Sequence, residues 1–279
     1  MRAKLIPSRN VRSLFLACVC AAVLAAQTPQ GQKSAVNVPQ LPDNSPHIAA
    51  PPDGYKYPNN QTLTYTADWR LFNAGTATLR MQAAGREQRL VATADAQGFV
   101  ALLYHVHDTF EAFFDPASFC SLNITKHTEE GFRRHDTNIV FDYARKKSVL
   151  TEKNLKTNEN KKEENDIPEC VSDVISSPFY IASLPLTPGA VYRFPLNDGG
   201  KTNVARVTVE GREDVKVATG TYKTVRVGVV ADSGSLMNKG QIWIWFTDDA
   251  ARMPVQMKAR LFWGTLIFHL TKIDSAQQR

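Results

Sequence analysis

Cysteine is scarce in this chain, and its placement excludes most of what cysteine does. Of four cysteines in 279 residues, Cys18 and Cys20 fall within the first 26 positions, leaving Cys120 and Cys170 for the remainder. No CxxC, HExxH or closed Cys/His cluster occurs, so zinc binding and thioredoxin-type chemistry have no motif. A GxSxG elbow, an SxxK pair and a glycine-rich phosphate loop are also missing, which removes the usual signatures of serine hydrolases and nucleotide binders. No fixed repeat period appears, which disfavours propellers and solenoids. One-sided charge is wanting too. The formal net charge is +6, but without the four basic residues of the first 26 positions there are 29 Lys and Arg against 27 Asp and Glu. Such a balance speaks against a nucleic-acid partner, which calls for a basic stripe. No cofactor and no resident metal are implied.

What is present at the start reads as a secretory signal. Arg2, Lys4, Arg9 and Arg12 form a basic leader to the apolar "SLFLACVCAAVLAA", Ser13 to Ala26, which is too short to span a bilayer as a mature helix. Cleavage is expected near Ala25 and Ala26, giving a periplasmic protein without a transmembrane span. The rival is a lipoprotein signal ending at Cys18, but the apolar run ahead of it is short and continues beyond Cys20. Export leaves Cys120 and Cys170 in an oxidising compartment, where one disulfide is the economical reading and two buried thiols the alternative. The bond would close a loop of about 50 residues and contribute roughly 3 to 4 kcal/mol.

Residues 27–60 hold seven prolines among Gln, Asn, Ser and Ala, a composition that buries little and predicts a disordered tether. From Gln61 the pattern is mostly period two, so 61–273 is read as a single β-rich domain and 274–279 as a tail. "LTYTADW" places Leu63, Tyr65, Ala67 and Trp69 on one face; Asn73-Ala74-Gly75 then predicts a hairpin turn into a strand with Ala77, Leu79 and Met81 inward. Further turns are expected at Asn197-Asp198-Gly199-Gly200, Thr219-Gly220 and Ser233-Gly234. The charged run "NLKTNENKKEENDIPE", Asn154 to Glu169, has no apolar periodicity and predicts a solvated loop. "SDVISSPFYIASLPL" offers Ser172 or Asp173 as a helix N-cap, with Pro178 predicting a short or broken helix.

These segments resemble, in order and spacing, the bacterial domain-of-unknown-function 3108 family over roughly residues 58 to 273. The "AGxA" segment corresponds to Ala74-Gly75-Thr76-Ala77, "D-x-x-S-x-x-Y" to Asp173, Ser176 and, with one extra residue where Ser177-Pro178 interrupts the helix segment, Tyr180, and "WxSxDxxRxPV" to Trp245, Thr247, Asp249, Arg252, Pro254 and Val255. Thr247 stands in place of the usual Ser. The resemblance implies an exported β-rich protein and no established activity.

Candidate sites are few. Adjacent acids on a strand face opposite ways, so Asp248 and Asp249 are a poor acid/base pair; a turn in which Asp249 and Arg252 brace each other fits better, with a ligand rim as an alternative. His105 and His107, two apart, lack a third ligand. Asp173 and Ser176 sit at a spacing that also serves a helix start. The aromatic surplus is more informative. Trp243, Trp245, Phe246, Phe262, Trp263 and Phe268 crowd adjacent strands, Trp243 and Trp245 on one face and Ile242, Ile244 and Phe246 on the other. Both faces are then covered, or one lines a cavity or interface. Trp243 and Trp245, with Phe179 and Tyr180 on the crossing helix, are the candidate ligand-binding residues, and no catalytic residue is assigned. The expected fold is mainly β: a strongly curved antiparallel sheet or incomplete β-barrel with one principal helix packed against it. The leading expectation is a monomeric, non-enzymatic binder of a hydrophobic ligand or an envelope partner protein. The alternatives are an assembly factor without a small ligand and, third, an uncharacterised hydrolase.

Overall fold

Alternation of apolar and polar side chains becomes strand after strand. The computed structural model describes residues 45–70, 72–232, 240–261 and 264–275, all within the compact unit Pro42–Arg279. The expected signal segment with Cys18 and Cys20, the expected turn at Ser233-Gly234, Phe262, Trp263 and the last four residues lie outside them. The first half comprises β1 (Gln61–Trp69), β2 (Phe72–Ala84), β3 (Glu87–Ala96), helix α1 (Gly98–Leu103), β4 (Val106–Phe114), β5 (Ser121–Glu130), β6 (Arg133–Asp142), β7 (Lys147–Asn154) and β8 (Asn160–Asp166). The second comprises β9 (Ser172–Asp173), helix α2 (Ser177–Ser183), β10 (Val191–Asp198), β11 (Lys201–Val217), β12 (Gly220–Ala231), β13 (Gly240–Thr247), β14 (Pro254–Leu261) and β15 (Gly264–Ser275). In β1 the inward set Leu63, Tyr65 and Ala67 is buried, as period two requires.

All fifteen strands form one sheet, in the order β8-β7-β6-β5-β4-β3-β2-β1-β15-β14-β13-β12-β11-β10-β9. Short connections make sequence neighbours antiparallel neighbours. The exceptions are β1 with β15, antiparallel but far apart in sequence, and the short parallel pair β9 and β10. The two edges, β8 and β9, are consecutive in the chain, and the sheet curls until β9 lies against β5 and β11 against β8. There the β10–β11 hairpin reaches β7: Ser148 Oγ donates to Gly200 O at 2.6 Å, and Lys126 Nζ on β5 pairs with Asp198 at 3.1 Å. Gly199 and Gly200 both have positive φ, the tight hairpin that Asn-Asp-Gly-Gly predicts.

The closure is also covalent. Cys120 and Cys170, 50 positions apart in sequence, are joined in a disulfide, and the next residues continue the join. Ser121 N donates to Val171 O, and Ser121 Oγ donates to Asp173 Oδ2 at 2.6 Å. The main core fills the curl, with Phe114, Phe119, Ile124, Ile139 and Leu150 facing Phe194, Val207, Val227 and Phe246 across Phe179, Tyr180 and Ile181 of α2.

Four expectations need correction. The charged run 154–169 is not a loop: residues 160–166 form edge strand β8, paired to β7 through Lys147↔Asp166 and Glu152↔Lys161. It shows no apolar alternation because it has no buried side, and its charges deter further strand pairing. The chain reverses directly after Trp69, which pairs with Phe72; Asn73-Ala74-Gly75 is a bulge within β2. Residues 45–60 do not read as a free tether. Ile48, Tyr55 and Tyr57 pack on the core, and Tyr57 Oη donates to Pro116 O at 2.7 Å. Finally, α2 starts at Ser177 with Ser176 as N-cap and Pro178 in the first turn, where its missing N–H is tolerated. A second short helix, α1, stands apart from it.

Because Cys120–Cys170 ties the segment entering β5 to the segment entering edge strand β9, reduction removes a covalent closure as well as a loop constraint. Urea unfolding with and without dithiothreitol is expected to show a loss of about 3 to 4 kcal/mol, with the Cys120→Ser/Cys170→Ser variant matching the reduced protein.

Candidate functional site

Small residues decide where the curl stays empty. Ala67 on β1, Ala74 and Gly75 on β2, and Ala94 and Ala96 on β3 line a half-enclosed cavity of about 760 Å³, within the roughly 300 to 1,000 Å³ usual for small-molecule sites. Trp69, Tyr104, Leu266 and Phe268 supply bulk around it, and Val100 of α1 lies over one side. The bulge in β2 turns Ala74 into the wall. Gly75 is required there, since a Cβ would sit 2.0 Å from the Asp95 carbonyl oxygen. Polar groups gather at one end, where Asp95, Glu130 and Arg133 complete the lining.

Beside that end lies Asp108, which is 7% exposed. Burial pushes its carboxyl up to about 6; the Glu129 backbone N–H opposes the shift, and Glu130, charged and within hydrogen-bond reach, adds to it. Glu129 pairs with Arg134 and His105, and His107 contacts Asp95 at 2.6 Å. A second, open trough of about 600 Å³ crosses β4 to β8 and is lined by threonines, lysines, His127 and Glu152.

A family model of proteins of unknown function, DUF3108, matches residues 64–271. The chain belongs to the DUF3108 family. No curated protein matches the sequence. Among solved structures, the DUF3108 chain is similar to a β-barrel-like protein of another domain of unknown function, DUF1849, from Brucella abortus. The TM-score is 0.54 and the identity 11%, over 78% of this chain and 98% of that one. That is a likeness of fold. A hypothetical protein from Chlamydia trachomatis overlaps 76% of this chain and 86% of its own at 8% identity and a TM-score of 0.32, too low to carry an argument.

The segments that resemble the family do different things in this DUF3108 fold. Ala74, Gly75 and Thr76 line the cavity. Asp173 and Ser176 are buried at the closure, where Asp173 Oδ1 accepts from the backbone N–H groups of Ile175 and Ser176 at 2.9 Å. Ser176 Oγ has no hydrogen-bond partner among the described residues, so no base is placed to activate it. Tyr180 accepts from the Ala49 N–H at 3.2 Å. Phe179 and Tyr180 belong to the main core and do not line the cavity.

Trp243 and Trp245 do not border the cavity either. Long strand β11 bulges between Val209 and Gly211 and brings two carboxylates against them. Trp243 Nε1 donates to Glu210 at 3.2 Å and Trp245 Nε1 to Glu213 at 2.7 Å. Trp245 packs in a second core cluster with Tyr65, Val215, Val255 and Leu270, while Trp243 lies between Lys258 and Arg260. Ile244 and Phe246 fill the main core from the other face.

The expected brace between Asp249 and Arg252 is divided differently. Asp249 Oδ1 accepts from Thr247 Oγ1 and from the backbone N–H groups of Ala251 and Arg252. The Arg252 guanidinium reaches Asp248 instead, at 3.1 Å, because the turn's own amides occupy Asp249. Among the described residues no group of three His, Cys, Asp or Glu is placed to hold a metal. Nor is any helix among them long and apolar enough to cross a membrane.

The cavity was missed in the sequence because its signal is a set of alanines and glycines that face one another only once register is known.

A carboxyl whose native pKa exceeds its unfolded value supports folding fully below about pH 4 and loses that support as pH rises through about 6. Asp108→Asn should therefore gain stability over the parent at pH 8 and lose the advantage near pH 4.5, as read by urea midpoints at the two pH values.

Proposed function

We propose that this protein is an exported, non-catalytic carrier or sensor of an amphiphile, whose acyl chain or similarly elongated apolar part occupies the cavity between Trp69 and Phe268. The observation that carries the reading is the 760 Å³ space walled by alanines and aromatics, whose charged groups Asp95, Glu130 and Arg133 all come from β3, β5 and β6. A fully packed curl would have larger side chains at Ala67, Ala94 and Ala96; their smallness leaves apolar wall with no protein partner. Arg133 is the one cation of the lining among the described residues, suited to a polar or anionic head left near the mouth while the tail lies inside. The signal-like leader and the Cys120–Cys170 disulfide support an envelope location. A binding role rather than catalysis is favoured by the use of Asp173 and Asp249 in backbone hydrogen bonds.

Protein purified from its own periplasm should carry lipid in native mass spectra and release it on solvent extraction. Ala94→Phe or Ala96→Leu should weaken binding of N-phenylnaphthylamine by at least about tenfold, a loss of some 1.4 kcal/mol, with thermal midpoints close to the parent's. Trp243→Ala should lower stability yet keep the probe. Empty protein, or filled variants that bind as well as the parent, would overturn the reading.

A further inference from the structure

The rim around the cavity mouth is apolar where a soluble surface should not be. Helix α1 has the sequence GFVALL, without a polar side chain, and none of its residues is buried. Leu102 and Leu103 are 84% and 65% exposed, and Phe99 62%. The neighbouring turns add Phe132 at 91% and Phe72 at 56%. These groups form a connected rim. Gly131 N donates to His105 O at 2.8 Å, and a Cβ on Gly131 would lie 2.7 Å from the Tyr104 ring, so the residues after α1 sit against the β5–β6 turn that carries Phe132. Gln97 N donates to Ala74 O, which seats the start of α1 beside β2. Six residues make a marginal helix on their own, and a concentrated exposed apolar patch marks an interaction surface.

Charge identifies what covers it. Arg70, Arg133 and Lys156 stand on the same rim, exposed, and none of them has an ion pair among the described residues. Arg70 lies over the Trp69 ring and Lys156 over the Phe132 ring, at 5.4 Å in each case. Of the nearby acids, Glu129 is engaged with Arg134 and His105, Asp95 with His107 and Glu159 with Thr157, while Glu130, the strand partner of Arg133, reaches Asp108, so the cations still outnumber the acids left without an ion pair. Protruding leucines and phenylalanines flanked by free cations match an anionic bilayer surface, where apolar side chains enter the acyl boundary and Lys or Arg meets the head groups. The rim is also continuous with the cavity, since Val100, Tyr104 and Arg133 line it.

We propose that this rim docks the protein on an anionic phospholipid membrane, with the cavity mouth at the head-group level so that an apolar chain passes between bilayer and protein without crossing water. What passes through the mouth rests on the ligand reading above; docking does not.

The test uses the processed protein from the periplasmic fraction in sedimentation with vesicles. Phosphatidylethanolamine–phosphatidylglycerol vesicles should carry it down, high salt should weaken this, and phosphatidylcholine alone should bind far less. Leu102→Glu/Phe132→Ser should lower vesicle partitioning by at least about tenfold, and Lys156→Glu by a smaller factor. Thermal midpoint and N-phenylnaphthylamine binding should remain those of the parent. Docking is wrong if the protein stays in solution with both vesicles while binding the probe, or if it sediments regardless of these substitutions. It is also wrong if light scattering shows a dimer that Leu102→Glu/Phe132→Ser dissociates while vesicles are ignored, which would assign the rim to a second copy of the chain. Vesicle binding that the variants abolish, in a protein that never takes up the probe, supports docking and removes the ligand reading instead.

Discussion

The carboxylate of Asp173 sits where a long sheet has to meet itself. A single sheet of fifteen strands, antiparallel except for the β9–β10 pair, buries one face only by curling, and curling brings distant strands together without a ladder to join them. Asp173 fills that gap. One oxygen takes the Ser121 hydroxyl from β5, the other takes two backbone N–H groups leading into α2, and its own N–H donates to Ser121 Oγ at 2.8 Å. The adjacent disulfide and the Tyr143 hydroxyl, which donates to Ser121 O at 2.6 Å, secure the same point. The packing of Phe179, Tyr180 and Ile181 against both halves depends on it. A buried charge of this kind is tolerable because its hydrogen bonds are made.

With the closure fixed, the interior divides along the strands. The main cluster contains α2, and the second cluster around Tyr65, Trp245 and Val255 takes in Val215 and Val217 from the part of β11 beyond its bulge. Phe268 packs on that second cluster and also lines the cavity. The space is therefore where core packing stops along the same strands. The side chains that would continue it are alanines, and the next residues along the chain are the exposed apolar groups of the rim. Apolar character runs unbroken from core through cavity to surface.

How much of this could be read from residue order follows from what each segment buries. Strands with one buried face, such as β1 with Leu63, Tyr65 and Ala67, announce themselves by alternation. Strand β8 does not, because "NKKEEND" has nothing to bury and is a strand only through its pairing with β7. The segment 45–60 looked unable to order itself, and alone it buries little; Tyr55 and Tyr57 gain their partners from Phe119 and Phe114, far away in sequence. The tryptophans of β13 were legible as a two-faced strand but not as partners of Glu210 and Glu213, because a bulge in β11 sets that contact. Long-range register also hid the cavity, whose walls come from β1, β2, β3 and β15.

The pairing of the first strand with the last has a consequence for biogenesis. β1 lies mid-sheet between β2 and β15, with Gln61 opposite Ser275 and Trp69 opposite Leu266. A chain made from its N-terminus must present β1 with one side of its backbone unpaired until the final strand arrives. Contacts of such sequence separation form slowly, and an open strand edge invites pairing with other chains. The nascent protein therefore spends its synthesis with a sticky edge at its centre. The last strand out completes the first one in.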